Sequence, residues 1–398
     1  MIEAARDLHR SMLTVDTHCD TPLMMTMRGW DPARRHPGAT LLGGDLDLPR
    51  MAEGGLGAAF FAVYVGQGPC TPEGRAKAKA RALAILDRMD AMYEACAGQC
   101  ARAQSPADAP AILADGRRAI FMGMENGYPL GLELEMADEY YRRGIRYLTL
   151  CHATDNDLCA SCTGFDGTYM TPRTTPDTGL TAFGERVVAR LNRLGMMVDV
   201  SHVSPQTVAD VLALSRVPVL ASHSGARAVG DHPRNLDDAQ LRSIAAQGGV
   251  VQVCFVPEFV RPRSRRDRDA DQAQDQLWDR VKAHYAGAGG GALGADPAVD
   301  AGFEAEWRAL CDRNPQYRVT LSDIADHIDH VAKVAGIEHV GIGSDFDGGA
   351  RIADCRDASE LPALTAELMR RGYSETDLRA IWGGNLMRVF AEVQAAAK

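Results

Sequence analysis

Six apolar runs of this sequence end in a residue able to bind a metal or move a proton: His18, Glu125, His152, His202, His223 and Asp345. His18 opens the triplet His18-Cys19-Asp20. Residues two apart on a strand face the same way, so His18 and Asp20 can converge on one cation. His202 and His223 close successive runs, each directly after a serine. Strands of one sheet lie ~4.8 Å apart, close enough for two imidazoles to share a zinc at about 2.0–2.1 Å. Glu125, in GMENG, follows six mostly apolar residues and must meet a charge partner or water. Two-metal hydrolases hold their ions roughly 3.5–4 Å apart, a gap one carboxylate can bridge. A carbamylated lysine is the alternative bridge, but none of the five lysines ends a run, which favours Glu125. Asp345, in GIGSDFDGG, reads as an acid/base group over the metals, with Asp347 the next candidate. A dinucleotide loop is excluded because Phe346 stands where that fingerprint needs glycine. The glycine of DFDG comes too early for a calcium loop.

Eight apolar runs must position these groups, at 12–18, 57–65, 119–125, 146–152, 196–202, 217–223, 249–256 and 339–345. Helical patterns fall between them at 73–95, 204–215, 237–246 and 322–335, the second opening on Ser204-Pro205 as N-cap and first-turn proline. Alternating strands and helices predict a parallel sheet. Eight strands predict its closure into a (β/α)8 TIM-type barrel of the metal-dependent hydrolase kind, with the site at the C-terminal strand ends. Residues 261–320 break the alternation with a charged stretch, helix-like pieces around Trp278 and Trp307, and a glycine-rich hinge. They read as an insertion between strands seven and eight, near the mouth. A helical segment is expected at 374–396, and 1–398 as one domain. His327 and His330 lie in a charged helix and are expected to face solvent.

The 398 residues are 46% hydrophobic and 24% charged, ordinary for a globular chain with its own core. A net charge of −10 argues against nucleic acid and anionic membrane as partners. Neither end has the apolar run of a signal peptide or lipid-anchor signal, and no stretch is long enough to span a bilayer. A cytoplasmic protein is expected, its ten cysteines reduced, including the isolated Cys159-x-x-Cys162 pair. No G-x-S-x-G elbow marks a serine hydrolase.

The blocks VDTHCDTP, LTLCHATDNDL, VDVSHVS, ASHSGARAVGDHPRNL, GIGSDFDGG and WGGNLMRVF resemble, in order and spacing, the renal (membrane) dipeptidase family of zinc metallopeptidases. The resemblance covers nearly the whole chain except part of 261–320. It implies two Zn2+ per chain and hydrolysis of dipeptides, extending to those with a C-terminal D-residue. By motif match, His18, Asp20, Glu125, His202 and His223 take metal-ligand roles with Glu125 bridging. His152 and Arg234 contact substrate, and Asp345 is the acid/base group. Cys19 stands where the family often has Asn, and Asn126 where it often has Gly after the bridging Glu.

The chemistry implied is attack by a metal-bridging hydroxide, with His152 stabilising the oxyanion and Arg234 holding the substrate carboxylate. Two other readings are a related amidohydrolase acting on another small amide, lactam or ester, and a catalytically silent binding protein. A homodimer is allowed, and the sequence does not decide the oligomeric state.

Overall fold

In the computed structural model each of the eight runs contributes a parallel strand. These are β1 (Val15–Cys19), β2 (Ala58–Tyr64), β3 (Arg118–Glu125), β4 (Ile145–Thr149), β5 (Met197–Asp199), β6 (Leu220–Ser224), β7 (Val250–Val253) and β8 (Val340–Ile342). They hydrogen-bond in chain order. The ring is completed beyond the strand ends, where Asp345 N donates to His18 O (3.0 Å) and Asp20 N to Phe346 O (2.8 Å). The fold is thus a nearly closed (β/α)8 barrel. The structure describes residues 2–26, 30–36, 44–165, 170–261, 297–313 and 318–398, and a few positions between 273 and 283.

The strands are buried on both faces, as in β2, where only Tyr64 is part-exposed. Their inward side chains fill the lower barrel: Phe60 stacks on Phe121 at 4.7 Å, and Phe390 of the C-terminal helix Asn385–Ala395 meets Phe121 edge-on at 5.7 Å. This apolar plug confines the polar groups to the opposite, C-terminal end of the barrel.

The helices between strands start where capping chemistry allows. The Thr71 side chain accepts from Gly74 N before Pro72–Ala95, and Ser204 accepts from Thr207 N before Pro205–Leu214. Asp237 and Gln240 form a reciprocal capping box before Asp238–Ala246. A short strand at Cys100–Arg102 beside β3, and a hairpin of Thr163–Phe165 with Met170–Pro172, were not anticipated. Within the expected insertion the helix Pro297–Arg313 is described, whereas the glycine-rich hinge at 287–295 and Trp278 lie outside the described residues.

One expectation is overturned. His327 is buried: it faces inward from the helix Leu321–Ala335 with Ile324, Ile328 and Val331 at helical spacing. Its Nδ1 accepts from Ala226 N, and its Nε2 donates to Val260 O. His330 is part-buried, with Nε2 2.7 Å from Asp238. The charges flanking these histidines lie on the opposite side of a strongly amphipathic helix, so local composition misrepresented the inner face. Among the described residues no helix is long and apolar enough to cross a membrane, and nine cysteines are unpaired.

Candidate metal centre

Glu125 is the last residue of β3 and stands at the middle of the barrel mouth. Its Oε2 lies 3.5 Å from His18 Nε2, whereas its Oε1 lies 3.0 Å from His202 Nε2 and 3.3 Å from His223 Nε2. The two oxygens of one carboxylate therefore address two different sets of imidazoles. On the first side, Asp20 Oδ2 and Asp345 Oδ1 stand 3.6 and 3.8 Å from His18 Nε2. On the second, His202 and His223 bring their Nε2 atoms within 2.8 Å of each other, and His152 Nε2 is 3.7 Å from Glu125 Oε1. Potential ligand atoms gather in three overlapping groups: His18, Glu125 and His223; Glu125, His152 and His202; and His18, Asp20 and Asp345.

The strand ends aim these side chains by sharp local turns. His202 and Asp345, each three residues past its strand, have left-handed φ of 68° and 64°, and Asn126 follows Glu125 with φ 77°. Such values are uncommon outside glycine and gather at functional sites. Asn126 shows how this position manages without glycine, since Asn tolerates the left-handed region. Its amide donates to Val65 O and Gln67 Oε1 and accepts from Tyr128 N and Asn156 Nδ2. Cys19 is buried in the main hydrophobic core.

The site's electrostatics follow from burial and charge crowding. Burial opposes protonation of His18, but Tyr147, Glu125 and Asp20 outweigh it and hold that imidazole well above its usual value. Burial also acts to raise Glu125, yet His18 and His152 hold it well below the usual carboxylate range. Burial and the nearby Arg234 and His152 keep His202 well below the usual imidazole value, and burial with His18 does the same to His223. Burial, with Asp20 and Glu125 adding to it against His18, pushes Asp345 well above the usual carboxylate value.

These residues suit a cation on structural grounds. His18 Nε2 and Asp20 Oδ1 are buried and have no hydrogen-bond partner, although both residues belong to a cluster of ligand groups. Buried polar atoms without partners are destabilising in a dry interior, and a divalent ion satisfies both. Imidazole and carboxylate together are the donor set of zinc. The clusters can hold two ions, and Glu125 belongs to two of the three groups.

Asp347 does not join them. Its carboxylate accepts from Thr21 Oγ1, Gly44 N and Asp45 N, which anchors the loop beside the mouth. Arg234 is buried; it donates to His223 O (2.7 Å), and its Nε has no partner. Sequence reasoning missed the groups just beneath the ligands: Tyr147, whose hydroxyl is 2.8 Å from His18 Nδ1, and Asp199, linked to His223 through Ser222. The logic used for Glu125, a carboxylate in an apolar run, applies equally to Asp199 in MMVDVSH and could have found it.

The sequence model of the membrane dipeptidase family, peptidase family M19, matches residues 2–398. The chain belongs to that family. Among solved structures, the probable dipeptidase PvdM from Pseudomonas aeruginosa is 31% identical, with a TM-score of 0.81 over 100% of this chain and 99% of that one. A metallopeptidase from Rhodobacter sphaeroides, bound to a phosphinate mimic of the dipeptide L-Ala-D-Ala, is 26% identical, with a TM-score of 0.71 over 96% and 99%. Dipeptidase 3 of Rattus norvegicus is 29% identical over 98% of this chain and 67% of its own length. The chain spans about two thirds of the length of the curated relatives it matches. Membership in the membrane dipeptidase family and clustered side chains able to hold metal ions at the barrel mouth together make this a metal-dependent hydrolase of the dipeptidase type.

Proposed function

We propose that the protein cleaves dipeptides, with His18 and Asp20 binding one zinc, His202 and His223 the other, and Glu125 bridging them. The observation that carries this is the divided address of Glu125, Oε2 toward His18 and Oε1 toward His202 and His223. When bound, such ions supply Lewis acidity and acidify a water molecule. The remaining steps belong to the chain. Asp345, beside His18 and Asp20, takes the proton of the attacking water and returns it to the leaving amine. His152, whose side chain is 18% exposed, reaches the mouth and donates a ring N–H to the carbonyl oxygen as charge builds there. Arg234 presents its unpartnered Nε and remaining donors to the substrate's terminal carboxylate. That clamp grips the carboxylate and not the C-terminal side chain, so a D-residue is admitted there. The ligand of the Rhodobacter relative supports the same reading.

The test is a panel of L-L and L-D dipeptides incubated with zinc-loaded protein, alongside small amides, lactams and esters. Dipeptide turnover with close to two zinc per chain is expected. Two bound zinc ions with no dipeptide turnover, but with cleavage of a lactam or ester, would overturn the assignment.

A further inference from the structure

Asp199 is a fully buried carboxylate, and among the described residues no arginine or lysine pairs with it. It is held by neutral donors alone. Ser201 N (3.0 Å) and Ser222 N (2.8 Å) donate to its Oδ1, and Thr149 Oγ1 (2.5 Å) and Ser222 Oγ (2.6 Å) donate to its Oδ2. A carboxylate kept from water without a cation is destabilising unless something else requires it. The hydrogen bonds lead to what it serves: Ser222 Oγ is also 2.8 Å from His223 Nδ1.

With Asp199 ionised, and Ser222 Oγ nearer to it (2.6 Å) than to Ser201 Oγ (3.4 Å), this chain has one direction. An ionised carboxylate only accepts, and a serine hydroxyl has a single proton, which Ser222 gives to Asp199. Ser222 Oγ must then accept from His223, so the proton of His223 sits on Nδ1 and its Nε2 carries a free lone pair. That lone pair points at His202 Nε2 (2.8 Å) and lies beside Glu125 Oε1 (3.3 Å), among the gathered ligand atoms. The other imidazoles are held differently. His18 Nδ1 meets the Tyr147 phenol, which can donate or accept, and His202 Nδ1 is buried without a partner.

We propose that Asp199, acting through Ser222, is a positioning residue that locks His223 in its metal-binding tautomer before any ion arrives. This rests on the reading of His223 as a zinc ligand. The relay also lessens an asymmetry of charge: the His18 side has Asp20, Asp345 and the shared Glu125, whereas the His202–His223 side has only Glu125. Asp199 places a further carboxylate there at one remove. Outer partners of this kind typically change metal affinity by about 10–100-fold.

The test combines nitrogen-15 NMR of the histidine rings in metal-free protein with zinc titration in a metal buffer, for wild type, Ser222→Ala and Asp199→Asn. Wild type should show His223 protonated on Nδ1. Ser222→Ala should lose that bias and bind one of its two zinc ions about 10–100-fold more weakly, in a metal-free protein that still unfolds cooperatively. Ser222→Thr, which keeps the hydroxyl, should restore both. Asp199→Asn carries the same comparison should Ser222→Ala fail to fold. A wild-type His223 protonated on Nε2 overturns the proposal with no variant needed, as does unchanged zinc affinity in a folded Ser222→Ala. A wild type with the expected tautomer that binds no second zinc would instead overturn the ligand reading.

Discussion

Arg234 lays its guanidinium over the ring of Phe259, with 5.1 Å from the guanidinium carbon to the ring centre. Phe259 stands in the short helix Pro257–Val260, just after β7, and Asn235 Nδ2 donates to its carbonyl oxygen (2.6 Å). The arginine is thus held rigid on one face by an aromatic ring and along one edge by His223 O, with its Nε still unpaired. A planar donor fixed in this way is prepared for a carboxylate.

Arg234→Ala should therefore lose a charge-assisted pair worth roughly 1.5–3 kcal/mol, or about 10–150-fold in kcat/KM. The control is the same dipeptide as its C-terminal amide, on which wild type should already be poor and the variant no worse. Equal wild-type rates on acid and amide would remove the clamp.

Glu125→Ala tests the bridge. Both sets of ligands lose the carboxylate they share, so the purified variant should retain less than one zinc per chain by elemental analysis and show almost no turnover. Full two-ion occupancy in the variant would mean that His18 with Asp20, and His202 with His223, hold their ions without it.

How far these groups could be read from the sequence depended on whether a residue's cause was local. Glu125, His18 and His223 stand in runs whose neighbours are otherwise apolar, and a polar group in such a setting needs a reason that can be sought in one dimension. The barrel followed from eight runs with helices between, because that alternation admits few architectures. Asp345 and Asp347 show the limit. They are two residues apart and both have left-handed φ; what separates them lies in three dimensions, with His18 and Asp20 beside Asp345 and Thr21 and Gly44–Asp45 against Asp347. His327 was misjudged for the same reason, since its partners at Ala226 and Val260 are remote in sequence. Asp199 was legible by the logic already applied to Glu125, and its link to His223 only in three dimensions.

Asp345 and Asp20 approach each other over Gly348. A Cβ on that glycine would fall 2.0 Å from Asp345 Oδ1 and 2.2 Å from Asp20 Oδ2. Gly348→Ala should push both carboxylates off their positions and abolish most activity, while the barrel folds and β3 still carries Glu125. Circular dichroism like that of wild type, with kcat reduced at least about 100-fold, is the expected pair of results; a variant with wild-type kcat would show that the two carboxylates need not meet.

Asp345→Asn keeps the shape of the side chain but cannot accept a proton. Both zinc ions should remain, and kcat should fall by about 10²–10⁴. Loss of one ion would make Asp345 a ligand, as its place in a group with His18 and Asp20 allows.

The last prediction concerns acid stability, and it turns on His9, far from the barrel mouth. His9 is fully buried in the helix Ile2–Ser11, edge-on to Trp382 at 4.5 Å, with Nδ1 2.8 Å from Thr365 Oγ1. Burial, with Arg10 nearby, lowers its pKa from 6.5 to about 3. The unfolded chain therefore takes up this proton near pH 6.5, while the folded protein resists until about pH 3. Stability from the neutral imidazole is complete above the unfolded value and drains away as the pH falls through 6.5 toward 3. One pKa unit is worth about 1.36 kcal/mol, so acidification from pH 7 to about pH 5 should remove roughly 2 kcal/mol through this residue alone. His9→Gln can keep a hydrogen bond to Thr365 and does not titrate. Urea unfolding of wild type and variant at both pH values, each with the same excess of zinc, isolates the contribution as a difference of differences. The variant should lose roughly 2 kcal/mol less than wild type over that interval, and equal losses would show that His9 takes up its proton as readily in the folded protein as in the unfolded chain.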